Sequence, residues 1–188
     1  MRLFVALDIP EEVREALGAL VEKLRPACRS ARWACIEGAH ITLKFIGEVA
    51  ADKAEDIKSA LATVPFTTPI KMSFRGLGFF PSERRPRVFW AGMEAGDELG
   101  ALATAVEASL EPLGIAREQR AFSPHLTLAR FDSPSDLHRL HAAIAAVEPL
   151  EFGGTIAKEF HLYQSVLKRG GAEYTRVATF RSSGGESR

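Results

Sequence analysis

The apolar run from Leu3 to Leu7, closed by Arg2 on one side and Asp8 on the other, predicts a strand over residues 2–8. Pro10, Glu11 and Glu12 mark a helix start, and Val13, Leu17, Leu20, Val21 and Leu24 fall on one face before Pro26 stops it. An extended segment is expected around 32–36, then a strand over 40–47 and a helix over 51–64. Strands over 70–80 and 87–93 flank the turn-rich stretch 81–86, which carries Pro81, Ser82 and Pro86. The second half predicts a helix over 97–113, a strand over 125–131 and a helix over 135–147 behind a Ser/Asp cap. Strands over 155–165 and 174–180 close the chain around the loop 168–171, and 182–188 reads as a frayed tail with nothing to bury. Strands and helices alternate, yet the hairpin-like pairs point to an α+β architecture with antiparallel sheets.

Sliding the sequence on itself by 85 residues brings Arg2, Phe4 and Ala6 onto Arg87, Phe89 and Ala91, with no gap. The same offset brings Leu17, Val21 and Glu22 onto Leu102, Val106 and Glu107, and His40, Thr42 and Leu43 onto His125, Thr127 and Leu128. Matches among Leu, Val and Ala fall within coincidence. A rare His in one repeated context, preceded in both halves by the same strand and helix signals, makes duplication the better account. The expected arrangement is one domain of two lobes about a pseudo-twofold axis, with antiparallel sheets facing a central cleft and helices on the outer faces.

The repeated element is His40-Ile41-Thr42-Leu43 and His125-Leu126-Thr127-Leu128. On a strand each His shares a face with its Thr, while the apolar pair points the other way as an anchor. Two polar pairs left unsatisfied on buried strands would cost several kcal/mol, so they are expected to line a wet site. A pair of imidazoles suits chemistry that takes one proton and gives another near neutral pH. Phosphodiester hydrolysis needs that division, and the two hydroxyls can bond the non-bridging oxygens where charge develops. Two His and two Thr make a poor first-row metal site, so neither metal nor cofactor is expected. His138 and His141 flank the stripe Leu137, Leu140, Ile144 and Val147 and are read as a solvated surface pair; His161 is read as sheet-surface or cleft-edge.

The chain has 188 residues, 46% of them hydrophobic and 26% charged, which suits one generous core and excludes disorder and coiled coil. With 24 Lys+Arg against 24 Asp+Glu there is no broad positive field for a DNA duplex, so any nucleic acid must be gripped locally. Cys28 and Cys35 are too few for a disulfide framework, and the short N-terminal apolar run suits neither a signal peptide nor a membrane span. A reducing cytoplasm is the expected compartment, and a monomer the expected state.

Three stretches, 1–10, 40–49 and 122–130, together with 86–92 and 162–165, resemble the RNA 2',3'-cyclic phosphodiesterases. That family was first named 2'-5' RNA ligases and belongs to the two-histidine phosphoesterase superfamily. The resemblance runs over nearly the whole chain, and two His-x-Thr motifs at this spacing make it specific. It implies metal-independent opening of a 2',3'-cyclic phosphate at an RNA end, or on a small nucleotide, to a 2'-phosphate. It further implies His40 as proton donor to the leaving 3'-oxygen, His125 as proton acceptor from water, and Thr42 and Thr127 on the phosphate oxygens. Ligation through a 2'-5' bond is the reverse of the same chemistry. Arg130 would add a guanidinium to the phosphate, but an odd offset from His125 turns it to the opposite face unless a bulge or the strand end intervenes. Its counterpart Phe45 is an apolar wall or base-stacking surface on one reading and core packing on the other. Arg84 and Arg85, beside Phe79, Phe80 and Trp90, are either RNA contacts or a solvated turn. The alternatives are a relative acting on another nucleotide ester, 2',5'-linked oligoadenylate or an ADP-ribose cyclic phosphate, and a non-catalytic module that binds RNA ends.

Overall fold

A computed structural model describes residues 1–132, 137–147, 150–168 and 171–183. Among them, the first sheet has the order β3-β1-β8-β9, formed by β3 (His40–Glu48), β1 (Arg2–Asp8), β8 (Glu159–Lys168) and β9 (Gly171–Arg181). The second runs β2-β6-β5-β4-β7, formed by β2 (Arg32–Trp33), β6 (His125–Arg130), β5 (Val88–Ala95), β4 (Ile70–Phe80) and β7 (Glu151–Ala157). Every pairing is antiparallel. This is the α+β arrangement of two antiparallel sheets that the strand pattern predicts.

The helices are α1 (Glu11–Leu24), α2 (Lys53–Ala62), α3 (Asp97–Leu110) and α4 (Leu137–Ala145). Glu11 and Glu12 stand in the first turn of α1, and Asp97 and Glu98 in that of α3, where the helix dipole favours negative charge. Val13, Leu17, Leu20, Val21 and Leu24 are buried along α1, each side chain of this size worth roughly 1.5–3 kcal/mol when fully removed from water. Although α1 leaves the first sheet, it packs on β7 of the second; α3 leaves the second and packs on β3 of the first. One apolar cluster therefore runs through both halves. No helix among the described residues is long and apolar enough to cross a membrane.

The repeat has a finer grain than a single offset. The two 14-residue helices α1 and α3 begin at Glu11 and Asp97, 86 apart. In β1 and β5 the residues facing the two motif histidines are Asp8 and Gly92, 84 apart. The motifs themselves stay 85 apart, so the ungapped offset is one residue off on each flanking element. Each sheet is then completed from elsewhere: β8 pairs with β1, and β4 pairs with β5.

The strand expected over 155–165 is two strands in different sheets. It breaks at Lys158, where the chain passes from β7, paired with β4, to β8, paired with β1 and β9. Gly153 (φ +111) and Gly154 weaken the strand pattern at the start of β7, which hides it in the sequence. The expected helix 135–147 is seen as Leu137–Ala145, and its Ser/Asp cap lies outside the described residues, as do Arg169 and Gly170 of the predicted loop. At the C-terminus, the amides of Ser182 and Ser183 donate to the carbonyls of Lys158 and Phe66, while 184–188 lie outside the described residues.

Candidate active site

β3 lies at the edge of the first sheet and β6 inside the second, and the two strands approach each other. Along both, Ile41, Leu43, Leu126 and Leu128 are buried, while His40, Thr42, His125 and Thr127 are partly exposed on the other face. The alternation of the His-x-Thr motifs is realised as the sequence predicts.

Each imidazole is held in the same way. His40 Nδ1 lies 2.8 Å from the Gly38 carbonyl oxygen, and His125 Nδ1 lies 2.8 Å from that of Ser123. A carbonyl can only accept, so Nδ1 carries the proton in both rings and Nε2 is left to act on a ligand. When neutral, each Nε2 can take a proton; when charged, each can give one.

Both strands bulge at corresponding places. Val5 faces Lys44 and Ala6 faces Thr42, so Leu43 is the extra residue of β3; Phe89 faces Ala129 and Trp90 faces Thr127, so Leu128 is the extra residue of β6. Two consecutive side chains then enter the core, Leu43 with Lys44 and Leu128 with Ala129. Beyond the bulge the alternation is inverted, which turns Phe45 and Arg130 onto the histidine face. Phe45 is 54% exposed and so is not core packing. Lys44 is buried, its Nζ donating to Glu107 Oε1 at 2.9 Å and to the Ala116 carbonyl at 2.6 Å. Burial raises the Glu107 carboxyl, but bonds from Lys44 and the Glu118 amide outweigh this and hold it below the ordinary range.

The two rings have different surroundings. His40 stacks on Phe4 (centroids 4.5 Å) and meets Tyr174 edge-on (5.1 Å), with Tyr163 at 6.3 Å. Burial pushes its pKa down, against the pull of the Gly38 bond and of Asp8. His125 meets one ring edge-on, Phe80 at 5.1 Å, and Phe80 in turn packs on Trp90. Phe80 is also the last residue before the exposed turn bearing Arg84 and Arg85, so that turn is rooted beside His125.

The same face of the first sheet carries polar groups that the motifs do not announce. Asp8 accepts from the Tyr163 hydroxyl and from Arg176, and His161 lies between Asp8, Glu159 and the Thr179 hydroxyl. Their one signal in the sequence is the period of two along β1 and β8: Phe4, Ala6 and Asp8 face Tyr163, His161 and the β3 motif across the ladder. His161 therefore stands on the same sheet face as the site but is covered rather than exposed, and burial lowers its pKa. His141 also departs from expectation: its Nε2 is buried and its ring packs 5.3 Å from Phe79. It lies about 40° from Leu137 on the helix wheel, at the edge of the apolar stripe, where Phe79 packs against it. Among the described residues no three His, Cys, Asp or Glu side chains gather as a metal-binding group.

The sequence matches the LigT-like phosphoesterase model over residues 7–90 and 93–174. The chain belongs to that family. It is 34% identical to a protein of Archaeoglobus fulgidus named RNA 2',3'-cyclic phosphodiesterase, over 96% of this chain and 99% of the relative. A protein of the same name from Thermotoga maritima is 31% identical over 98% and 97% of the two chains. The crystal structure of TT0787 of Thermus thermophilus superposes with a TM-score of 0.80 at 34% identity, covering 99% of this chain and 100% of that one. That of E. coli LigT complexed with 3'-AMP gives 0.78 at 28% identity, covering 97% and 98%. In this LigT-like phosphoesterase the twin histidine strands hold matched imidazoles, each anchored through Nδ1.

Proposed function

We propose that the protein hydrolyses 2',3'-cyclic phosphates at RNA ends, or on small nucleotides, to 2'-phosphomonoesters. The observation that carries this reading is the matched pair of imidazoles, each pinned through Nδ1 to the carbonyl two residues back and each left with Nε2 to work. The names of the relatives favour the same substrate.

His125 Nε2 takes a proton from water as the water oxygen bonds to phosphorus. The bond from phosphorus to the 3'-oxygen breaks, and His40 Nε2 gives that oxygen its proton. The two histidines then exchange protons with solvent to restore the starting forms. Thr42 and Thr127 bond the non-bridging oxygens, and Arg130, turned to this face by the bulge, meets the phosphate with its planar fork. Phe45 offers a ring for a base to stack on, and Arg84 and Arg85 extend the contact along the chain on the His125 side. No metal enters this scheme. Joining ends through a 2'-5' bond is its reverse.

The test is turnover of a short oligonucleotide ending in a 2',3'-cyclic phosphate, with chelator present. His40→Ala and His125→Ala should each lower kcat by roughly 10²–10⁴-fold, and the parent should give a bell-shaped pH profile. Because burial lowers the His40 pKa, one limb of that bell should lie below the ordinary histidine range. A substrate with sulfur as the 3'-bridging atom needs no proton on its leaving group, so it should relieve His40→Ala and leave His125→Ala inactive. A requirement for added metal, or full activity in either Ala variant, would reject the reading.

A further inference from the structure

The two motif histidines differ in what stands opposite them. Asp8 and His40 are register partners across β1 and β3, so their side chains leave the same face of the sheet. The carboxylate is clamped: Tyr163 donates to Oδ1, Arg176 pairs with Oδ2, and His161 Nε2 stands 3.6 Å from that second oxygen. Burial and then the bond to Asp8 push the Tyr163 phenol up to about 12, which keeps it a neutral donor. In the other half the place opposite His125 is taken by Gly92. A Cβ there would come 2.5 Å from the Arg75 carbonyl oxygen and 3.3 Å from the Trp90 ring, so a side chain is shut out.

We propose that Asp8, held by Tyr163 and Arg176, is a positioning residue that breaks the pseudo-symmetry of the site and commits His40 to the proton-donor role. The inference rests on the cyclic phosphodiesterase reading above. His40 lies against Phe4 and Tyr174, an apolar setting that disfavours imidazolium; a carboxylate on the same face opposes that cost. The other titratable or charged groups near this face are Tyr163, His161 and Glu159 from β8, Tyr174 and Arg176 from β9, and the Cys35–Glu37 pair on the turn before His40. Arg181 pairs with Glu159 at the far side. Of these, Arg176 works against Asp8: paired with Oδ2, it offsets part of the negative charge that favours a charged His40. Removing one or the other should therefore move His40 in opposite directions, whereas a loss of mere support would move both the same way.

The experiment measures kcat/KM against pH on the cyclic-phosphate oligonucleotide for Asp8→Asn and Arg176→Gln, and follows the His40 and His125 ring protons by NMR titration. In Asp8→Asn, kcat/KM should fall roughly three- to tenfold on the alkaline side of the parent's optimum, and the loss should shrink steadily as the pH is lowered below that optimum. The His40 titration should move to lower pH in Asp8→Asn and to higher pH in Arg176→Gln, with His125 unmoved in both. Equal loss at every pH, movement of both variants in one direction, or an unchanged His40 titration would overturn the proposal. Should Asp8→Asn fail to fold, the direction seen in Arg176→Gln decides. If instead the parent enzyme does not open the ester, or His40→Ala remains active, the activity reading falls; the NMR titrations still report whether Asp8 favours the charged form of His40.

Discussion

The two halves of the site share a skeleton and differ in lining. In both, a strand bulges one residue past its His-x-Thr motif, and a carbonyl two residues upstream fixes the tautomer. Past the bulge, one half presents the ring of Phe45 and the other the guanidinium of Arg130; in the core, one buries Lys44 and the other Ala129. One histidine faces a carboxylate, the other a glycine. The backbone devices are shared because each serves the ladder itself, while the side chains that line the two halves differ.

The strongest change should separate the two bulges. Lys44 is buried with Glu107, so Lys44→Ala should cost about 3 kcal/mol in urea unfolding by leaving that carboxylate without its cation, although Ala is the native residue at the matching Ala129. The Glu107 carboxyl is depressed in the folded protein, so the pair stabilises above the ordinary carboxylate pKa and the gain is lost as pH falls through that range. The gap between parent and Lys44→Ala should accordingly close in acid; a constant gap would point to packing alone. Next comes Arg130. Arg130→Lys keeps the charge but loses the fork, and kcat/KM should drop about tenfold to a hundredfold with little change in melting temperature. Lysine serving as well would mean that Arg130 acts as a point charge. The smallest effect belongs to Phe45. Phe45→Ala removes a half-exposed ring and should raise KM for an oligonucleotide about fivefold, leaving kcat and stability near the parent's. A matching loss of stability would return Phe45 to a packing role.

Much of the architecture was legible because burial writes itself into period. The limits of β1 and β4 agree with the apolar runs that predict them, and the face of α1 follows the 3.6-residue spacing of its five buried side chains. The stretch 155–165 reads as one strand because no Gly, Pro, Asn or Asp interrupts it at Lys158 and Glu159, so the passage from one sheet to the other carries no turn signal. His141 Nε2 and His161 are covered although a polar residue type suggests solvent, because what covers them comes from elements far along the chain. The site divides in the same way. The motif histidines and threonines are a local signal, spaced two apart on a strand. The Asp8–Tyr163–Arg176 clamp joins residues up to 168 positions apart, and no local pattern could announce it.

Local sequence is enough to make a pair of strands that offer His and Thr on one face and bury their apolar partners on the other, since alternation is a property of the extended chain. Where that rule is broken, and what meets across it, depends on strand pairing. The bulges at Leu43 and Leu128 exist because neighbouring strands take up one residue fewer, and they turn Phe45 and Arg130, respectively, toward the histidines. The carboxylate facing one imidazole, and the glycine facing the other, follow from pairing register, which is an agreement between strands and not a feature of either.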